Sequence, residues 1–394
     1  MSNLQTDPVL LTQALIRCPS VTPEEGGALN LLQAILEQMG FRCHRKVFSQ
    51  SGWADVDNLY ARIGDGQPHL CFAGHTDVVP SGDLSLWSYP PFEGKINNGM
   101  LFGRGSSDMK GAIACFVVAV SRILSSKKLL NKGSLSLLIT GDEEGPSING
   151  TVKMLGWLAE RGEKLDACLV GEPTNPNLLG DEIKIGRRGS LTGEIVVEGR
   201  QGHSAYPHLA DNPIPKLAHI IDRFFNLRID EGTQYFEPSN CQFTILSVPN
   251  TAANVIPASV RSTFNLRYND LWRRNTIEEW FKLQLEAAAT TINAKYTVHF
   301  SHASEVFLMQ KGFLAELLTS AVSSVVTRVP RLTTSGGTSD ARFIKDFCPV
   351  VEFGLTNKTI HQINENVLLK DLEILTDIYE RFIQGFLSSE ILKQ

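Results

Sequence analysis

Three short apolar runs, at residues 69–73, 134–140 and 167–170, each lead into a glycine followed by residues that can carry charge: GHTDVVP, GDEEG and GEPTNP. Runs of this length suit buried strands. The stretches 28–39, 111–124 and 150–160 have helical periodicity, and a further strand is expected near 59–63. Strand alternating with helix predicts an open α/β sheet, whose active residues gather outside the carboxyl ends of the strands. Three segments bearing acids or histidine at three such ends therefore predict one shared site.

Near Lys184 the pattern changes. Strand at 190–199, helix at 213–225, strands at 242–248 and 259–268, helix at 277–290 and strand at 296–301 give the split βαβ order of a small ferredoxin-like α+β domain. From about Val306 the first pattern resumes, with helix at 312–326, the Gly-rich SGGTSDARF, strand at 350–353 and helix at 372–387. A chain of 394 residues exceeds what one core usually sustains. The expected organisation is a first domain over 1–186, an inserted domain over 187–304, and the rest of the first domain over 305–394. Edge strands of the inserted sheet would be free to pair, which favours a homodimer.

A net charge of −5 argues against a nucleic-acid surface and for a small-molecule substrate. The longest apolar run, Ala112 to Val120, is far short of the ~20 residues that span a bilayer. The start, MSNLQTDPVLL, has no basic region before an apolar one, so a cytoplasmic protein is expected. The seven cysteines are scattered and never spaced C-x-x-C, which speaks against a disulfide framework or a thiolate metal site. Cys71, Cys115 and Cys168 read as small buried hydrophobes.

Several segments carry possible chemistry. His75 and Asp77 stand two apart, on one side of an extended backbone, as a ligand and the acceptor that orients it, or as a plain surface pair. Asp108 follows the tight turn GRGSS and precedes an apolar helix, so it either caps that helix or bridges two cations. Asp142, Glu143 and Glu144 would repel one another unless solvated or bound to cations. In the bound reading Glu144 is a ligand, and Glu143 takes a proton from water whose pKa a metal lowers from 15.7 to about 7. Glu172 and His361 complete a set of two histidines and three carboxylates, the nitrogen and oxygen donors suited to two Zn2+ per subunit, with Co2+ able to substitute.

With these segments in this order, the chain resembles, over nearly its whole length, the aminoacylase and carboxypeptidase family of co-catalytic zinc hydrolases. The resemblance implies an α/β catalytic domain with a central mixed sheet flanked by helices, and an inserted ferredoxin-like dimerisation (lid) domain. It implies that Asp108 bridges both metals, with His75 and Glu172 on one and Glu144 and His361 on the other. Asp77 would orient His75, and Glu143 would act as general base and acid. His203, in GHSAYPH, would reach the partner subunit's site and stabilise an oxyanion there.

KIGRRGSL, NVIP with FNLRY, SGGTSDARF and NKTIHQINE further resemble members that remove an acyl group from an amine. They imply substrate contacts at Arg187, Arg188, Ser190, Tyr206, Asn254, Arg267, Gly336, Thr338 and Asn357. Arginines suit a substrate with several carboxylates. Two positions depart from the pattern. Ala253 replaces the first of a paired Asn, which removes or relocates a substrate hydrogen bond, and Ala341 replaces a glycine that would matter if the turn needs positive φ. The implied activity is hydrolysis of a linear amide. Deacetylase-like and dipeptidase-like hydrolysis, or a binding protein that keeps the fold without catalysis, are the alternatives.

Overall fold

The computed structural model describes residues 4–126, 133–309 and 312–389. Two compact units emerge: Met1–Ile185, Met309–Thr333 and Ser339–Gln394 form the first, and Gly186–Leu308 with Thr334–Thr338 the second. Residues 334–338 thus cluster with the second unit, where the sequence pattern alone continues the first.

The first unit is built on an eight-stranded mixed sheet. Its spatial order is Arg42–Gln50, Trp53–Ile63, Ser134–Thr140, His69–His75, Ala167–Val170, Val350–Glu352, Glu182–Lys184, Arg331–Thr333. His69–His75 runs parallel to both of its neighbours. Every residue of it and of Ser134–Thr140 is buried, as expected of strands covered on both faces. The helices Lys110–Ser125 and Leu369–Ser388 pack against each other and against this sheet. There Phe72 stacks on Phe116 with centroids 4.3 Å apart, and Tyr379 meets Phe72 edge-on at 5.9 Å.

Two elements of this unit have no sequence signal of the kind used above. The helix Pro8–Ile16 is started by Asp7, whose Oδ1 accepts from the amides of Val9 and Leu10. Strand Arg42–Gln50 lies at the sheet edge with no fully buried residue. Ala341 is fully buried at the start of helix Ala341–Ile344 and has no positive φ, so alanine is unstrained there.

The second unit has an antiparallel four-stranded sheet in the order Asn240–Ser247, Ser259–Tyr268, Gly189–Glu198, Lys295–Ser304. Helices Pro213–Asn226 and Arg274–Thr291 pack on it. Along Gly189–Glu198 burial alternates residue by residue, the period of a sheet with one face on a core. In that core Phe264 stacks on Phe281 at 4.1 Å and fills the space that a Cβ at Gly193 would take, 2.5 Å from its ring. Strand, helix, strand, strand, helix, strand in this order is the ferredoxin-like arrangement. Among the described residues, no helix is long and apolar enough to cross a membrane.

Candidate metal centre

Parallel pairing brings three chemically active strand ends to one edge of the first unit. His75 closes its strand opposite Thr140, the last residue of Ser134–Thr140, and Glu172 follows Val170 at the end of the neighbouring strand. Two loops meet these ends. Strand Met100–Phe102 leads into the turn carrying Asp108, and it pairs with Asn366–Leu368, which follows the loop carrying His361.

Asp108 stands at the middle, its carboxylate shared between the two imidazoles. Its Oδ1 lies 3.2 Å from His75 Nε2, and its Oδ2 lies 3.4 Å from His361 Nε2. Glu172 Oε1 is 3.6 Å from His75 Nε2, and Glu144 Oε1 is 2.9 Å from His361 Nε2. Helix capping is not the role of Asp108: the helix begins at Lys110, its cap residue is Met109, and no side chain caps it. Asp142 has a structural part, with Oδ2 accepting from the amides of Ile148 (2.7 Å) and Asn149 (2.8 Å).

Asp77 binds differently from the pattern read in the sequence. The nearest acceptor to His75 Nδ1 is the main-chain carbonyl of Asp77, at 2.9 Å, while the Asp77 carboxylate is 3.6 Å away, beyond hydrogen-bonding range. That carboxylate instead accepts from the amides of Glu143 (3.3 Å) and Glu144 (3.1 Å). One residue thus orients the imidazole with its backbone and the GDEEG turn with its side chain.

The charges in this cluster shift one another strongly. Burial pushes the Glu143 carboxyl well above the ordinary range, and the charge of Glu172 adds to this. Burial and Asp108 push Glu172 up to about 7, and burial pushes Asp77 up to about 6. Burial alone would drive the proton off His75, but the carboxylates of Asp108 and Glu172 beside its Nε2 outweigh it and hold its pKa well above normal. Hydrogen bonds to Asp108 and Glu144 raise His361 to about 10. Burial would also raise Asp108, yet the two histidines facing its carboxylate keep it well below the usual carboxylate range.

These side chains fit divalent cations. His75 Nε2, Asp108 Oδ1 and Glu172 Oε1 are buried with no hydrogen-bond partner, and their lone pairs converge. Donor atoms of His75, Asp108 and Glu144, and of His75, Glu143 and Glu172, lie within 4.8 Å of one another, so both glutamates of the GDEEG turn come within reach. Ligands held at 2.0–2.1 Å around a tetrahedral ion sit about 3.3 Å apart, close to the separations found here. The donors are nitrogen and oxygen, and all seven cysteines are free.

The remaining candidates lie in the second unit, apart from Asn357, whose amide donates to Asn175 O in the first (2.9 Å). His203 is exposed on the two-residue strand Gly202–His203, and its Nδ1 accepts from the amide of Ala205 at 3.0 Å. Its ring meets Tyr206 edge-on at 5.7 Å, and the amide of Ser204 donates to Asn254 O at 2.9 Å. Buried Arg187 donates to Gly337 O at 3.1 Å, beside Gly336, which has a φ of +98°. Arg188 faces Glu237 at 3.5 Å. Ser190 lies opposite Arg267 across the sheet and accepts from Asn265 at 3.1 Å. Thr338 ends the short segment that clusters with this unit.

Three residues near the candidate metal centre escape sequence reasoning. Arg104 and Glu365 form a buried ion pair at 2.8 Å behind the Asp108 turn. The signal available was an arginine inside a Gly/Ser turn, which needs an acid when buried. Asp340, in SGGTSDARF, is buried with Oδ2 accepting from Thr151 Oγ1 at 2.6 Å, and its charge helps to raise Glu143.

The fold is similar to solved structures across the whole chain. An M20 family metallo-carboxypeptidase from Sulfolobus solfataricus matches with a TM-score of 0.77 at 19% identity, covering 96% of this chain and 99% of that one. Human carnosine dipeptidase 1 matches at 0.77 and 17% identity, covering 97% and 96%. A dinuclear metal binding peptidase of the M20 family from Bacillus subtilis matches at 0.67 and 15%, covering 97% and 98%. At these identities the likeness speaks for the fold. The sequence itself speaks for the family, since the profile of peptidase family M20/M25/M40 matches residues 71–385, and the chain belongs to that family.

Proposed function

We propose that the protein hydrolyses the succinyl amide of N-succinyl-LL-2,6-diaminopimelate, giving succinate and LL-2,6-diaminopimelate on the route to lysine and meso-diaminopimelate. The observation that carries amide hydrolysis is the shared Asp108 carboxylate, one oxygen toward His75 and Glu172 and the other toward His361 and Glu144. His75, Asp108 and Glu172 would hold one cation, and Asp108, Glu144 and His361 a second, Zn2+ by donor type with Co2+ as a substitute. Such a pair supplies Lewis acidity, lowering the pKa of water and polarising an amide carbonyl.

The chain's own residues do the rest. Glu143 takes the proton of the attacking water and delivers it to the amine nitrogen as the new C–O bond forms and the C–N bond breaks. Its raised pKa suits a group that must hold a proton between those two events. Asp77 keeps His75 and the GDEEG backbone in place. In this reading the protein is a cytoplasmic homodimer, and the partner subunit's His203 stabilises the oxyanion. Because Nδ1 of His203 accepts from a backbone amide, the neutral ring carries its proton on Nε2, which leaves a donor for that purpose.

The substrate assignment is supported by Arg187, Arg188 and Arg267 in the second unit, suited to a molecule with several carboxylates, and by the segments KIGRRGSL and NKTIHQINE. The likeness to human carnosine dipeptidase 1 favours dipeptide cleavage as the second reading. Metal analysis of the purified protein, with turnover of succinyl-diaminopimelate, acetylornithine and dipeptides, separates them. Faster turnover of dipeptides would remove the substrate assignment. No hydrolysis of any of them by protein holding two cations would remove the enzyme.

A further inference from the structure

Glu365 is fully buried and lies four residues after His361. Its Oε1 accepts from the amides of Ser107 (3.0 Å) and Asp108 (3.2 Å). Its Oε2 accepts from the amide of Gly105 (3.1 Å) and from Arg104 Nη1 (2.8 Å). The backbone adds to this, with the amide of Gly103 donating to Glu365 O at 2.9 Å. Arg104 reaches back to Gln362 O at 3.1 Å, in the His361 loop. One carboxylate, belonging to the loop of His361, therefore gathers the amides of the turn that carries Asp108. Charge-assisted bonds of this kind are short and directional, so they fix one loop against the other.

The other side of Asp108 has its own lock. Met109, the next residue, is buried with its terminal methyl 2.6 Å from where a Cβ on Gly74 would be, and 2.7 Å from where one on Gly171 would be. Gly74 precedes His75 and Gly171 precedes Glu172. Packing of Met109 into those two glycine positions sets Asp108 against His75 and Glu172 without involving Glu365.

We propose that Glu365 is a positioning residue that sets Asp108 against His361 and so governs cation binding in the half of the centre formed by Asp108, Glu144 and His361. This rests on the two-cation reading above. Glu365→Gln replaces one acceptor oxygen by an NH2 group that faces amide or guanidinium donors, so the turn must shift away from the His361 loop. The half held by Met109 keeps its geometry.

The test is calorimetric titration of the metal-free wild type, Glu365→Gln, His361→Ala and His75→Ala proteins with Zn2+. Wild type binds two ions. Glu365→Gln binds one with wild-type affinity and the other about 10–100-fold more weakly, the scale for groups that orient metal ligands. The weakened step is the one lost in His361→Ala, not the one lost in His75→Ala. Glu365→Asp keeps a charge opposite Arg104, and weakens the same step to a smaller degree even where the glutamine variant does not fold. Unchanged binding in Glu365→Asp, or equal weakening of both steps, overturns the proposal while the two-cation reading stands. A wild type that takes up no Zn2+ overturns both.

Discussion

Cation uptake should expel protons, in a number set by the contacts of the two imidazoles. His361 Nε2 lies within 3.4 Å of Asp108 and 2.9 Å of Glu144, which raises its pKa to about 10, and His75 is held well above its ordinary value by Asp108 and Glu172. At pH 7 both rings of the metal-free protein carry a proton, where two unperturbed histidines of pKa ~6.5 would share about half of one. A ring that ligates through Nε2 must be neutral, so both protons leave. Glu172, at about 7, is half protonated and adds a further fraction. Roughly two to three protons should therefore appear per pair of Zn2+ bound at pH 7. Calorimetry in buffers of different ionisation enthalpy counts them. A count below one would refute this account of the site.

The same contacts fix the sign of the pH dependence. A histidine whose pKa is raised on folding stabilises the fold fully below ~6.5 and loses that contribution as pH climbs through the folded value, about 10 for His361. Asp77 and Glu172, raised to about 6 and about 7, act in the same direction at lower pH, because the folded chain keeps protons that the unfolded one has released. The thermal midpoint of the metal-free protein should fall from mildly acidic to alkaline pH. Zn2+ affinity should rise over the same interval, and the loaded protein should show a flatter profile because cations replace the protons.

Three further outcomes are expected. Glu143→Gln should lower kcat by ~10²–10⁴ in protein shown by metal analysis to hold both cations, and near-normal turnover would take proton transfer away from Glu143. Gly171→Ala would bring a Cβ within 2.5 Å of Phe72 Cζ and 2.7 Å of Met109 Cε, so it should destabilise by ~1–3 kcal/mol in urea unfolding and weaken Zn2+ binding as well. Phe264→Ala, which removes the ring stacked on Phe281, should cost ~3–5 kcal/mol by the same assay, and a loss under 1 would contradict the packing described.

Much of the fold was legible because burial writes itself into composition. The central strands are apolar throughout since both faces are covered, and Gly189–Glu198 alternates because one face is not. Arg42–Gln50 was not legible: an edge strand with no fully buried residue has no apolar period to detect. Helix Pro8–Ile16 is apolar nearly all round, so it shows no stripe. The candidate metal centre was legible in its residue types, with His75, Glu144 and Glu172 each next to a glycine at a strand end or turn. Contacts made by the backbone were not, as Asp77 shows, where a main-chain carbonyl takes the place expected of a carboxylate. Glu365 left no local trace either, since its partners are more than 250 residues away.

Charge balance links the geometry of the centre to its chemistry. Asp77, Asp108, Glu143, Glu144 and Glu172 stand around His75 and His361 in a largely buried space, and burial penalises every uncompensated charge. With both rings protonated, five ionised carboxylates would still leave three negative charges, so Glu143 and Glu172 are pushed toward their neutral forms. In the proposed reading, two divalent cations would change the balance, bringing four positive charges and releasing the protons of the rings, and Glu172, beside His75, would be a carboxylate fit to ligate. Glu143 is raised most directly by burial and by the charge of Glu172, the very charge a cation would neutralise. Its raised affinity for a proton would then fall, so that the carboxylate could both accept a proton from water and surrender it to an amine. On the proposed function, the side chain left over from metal binding would in this way be tuned by metal binding for proton transfer.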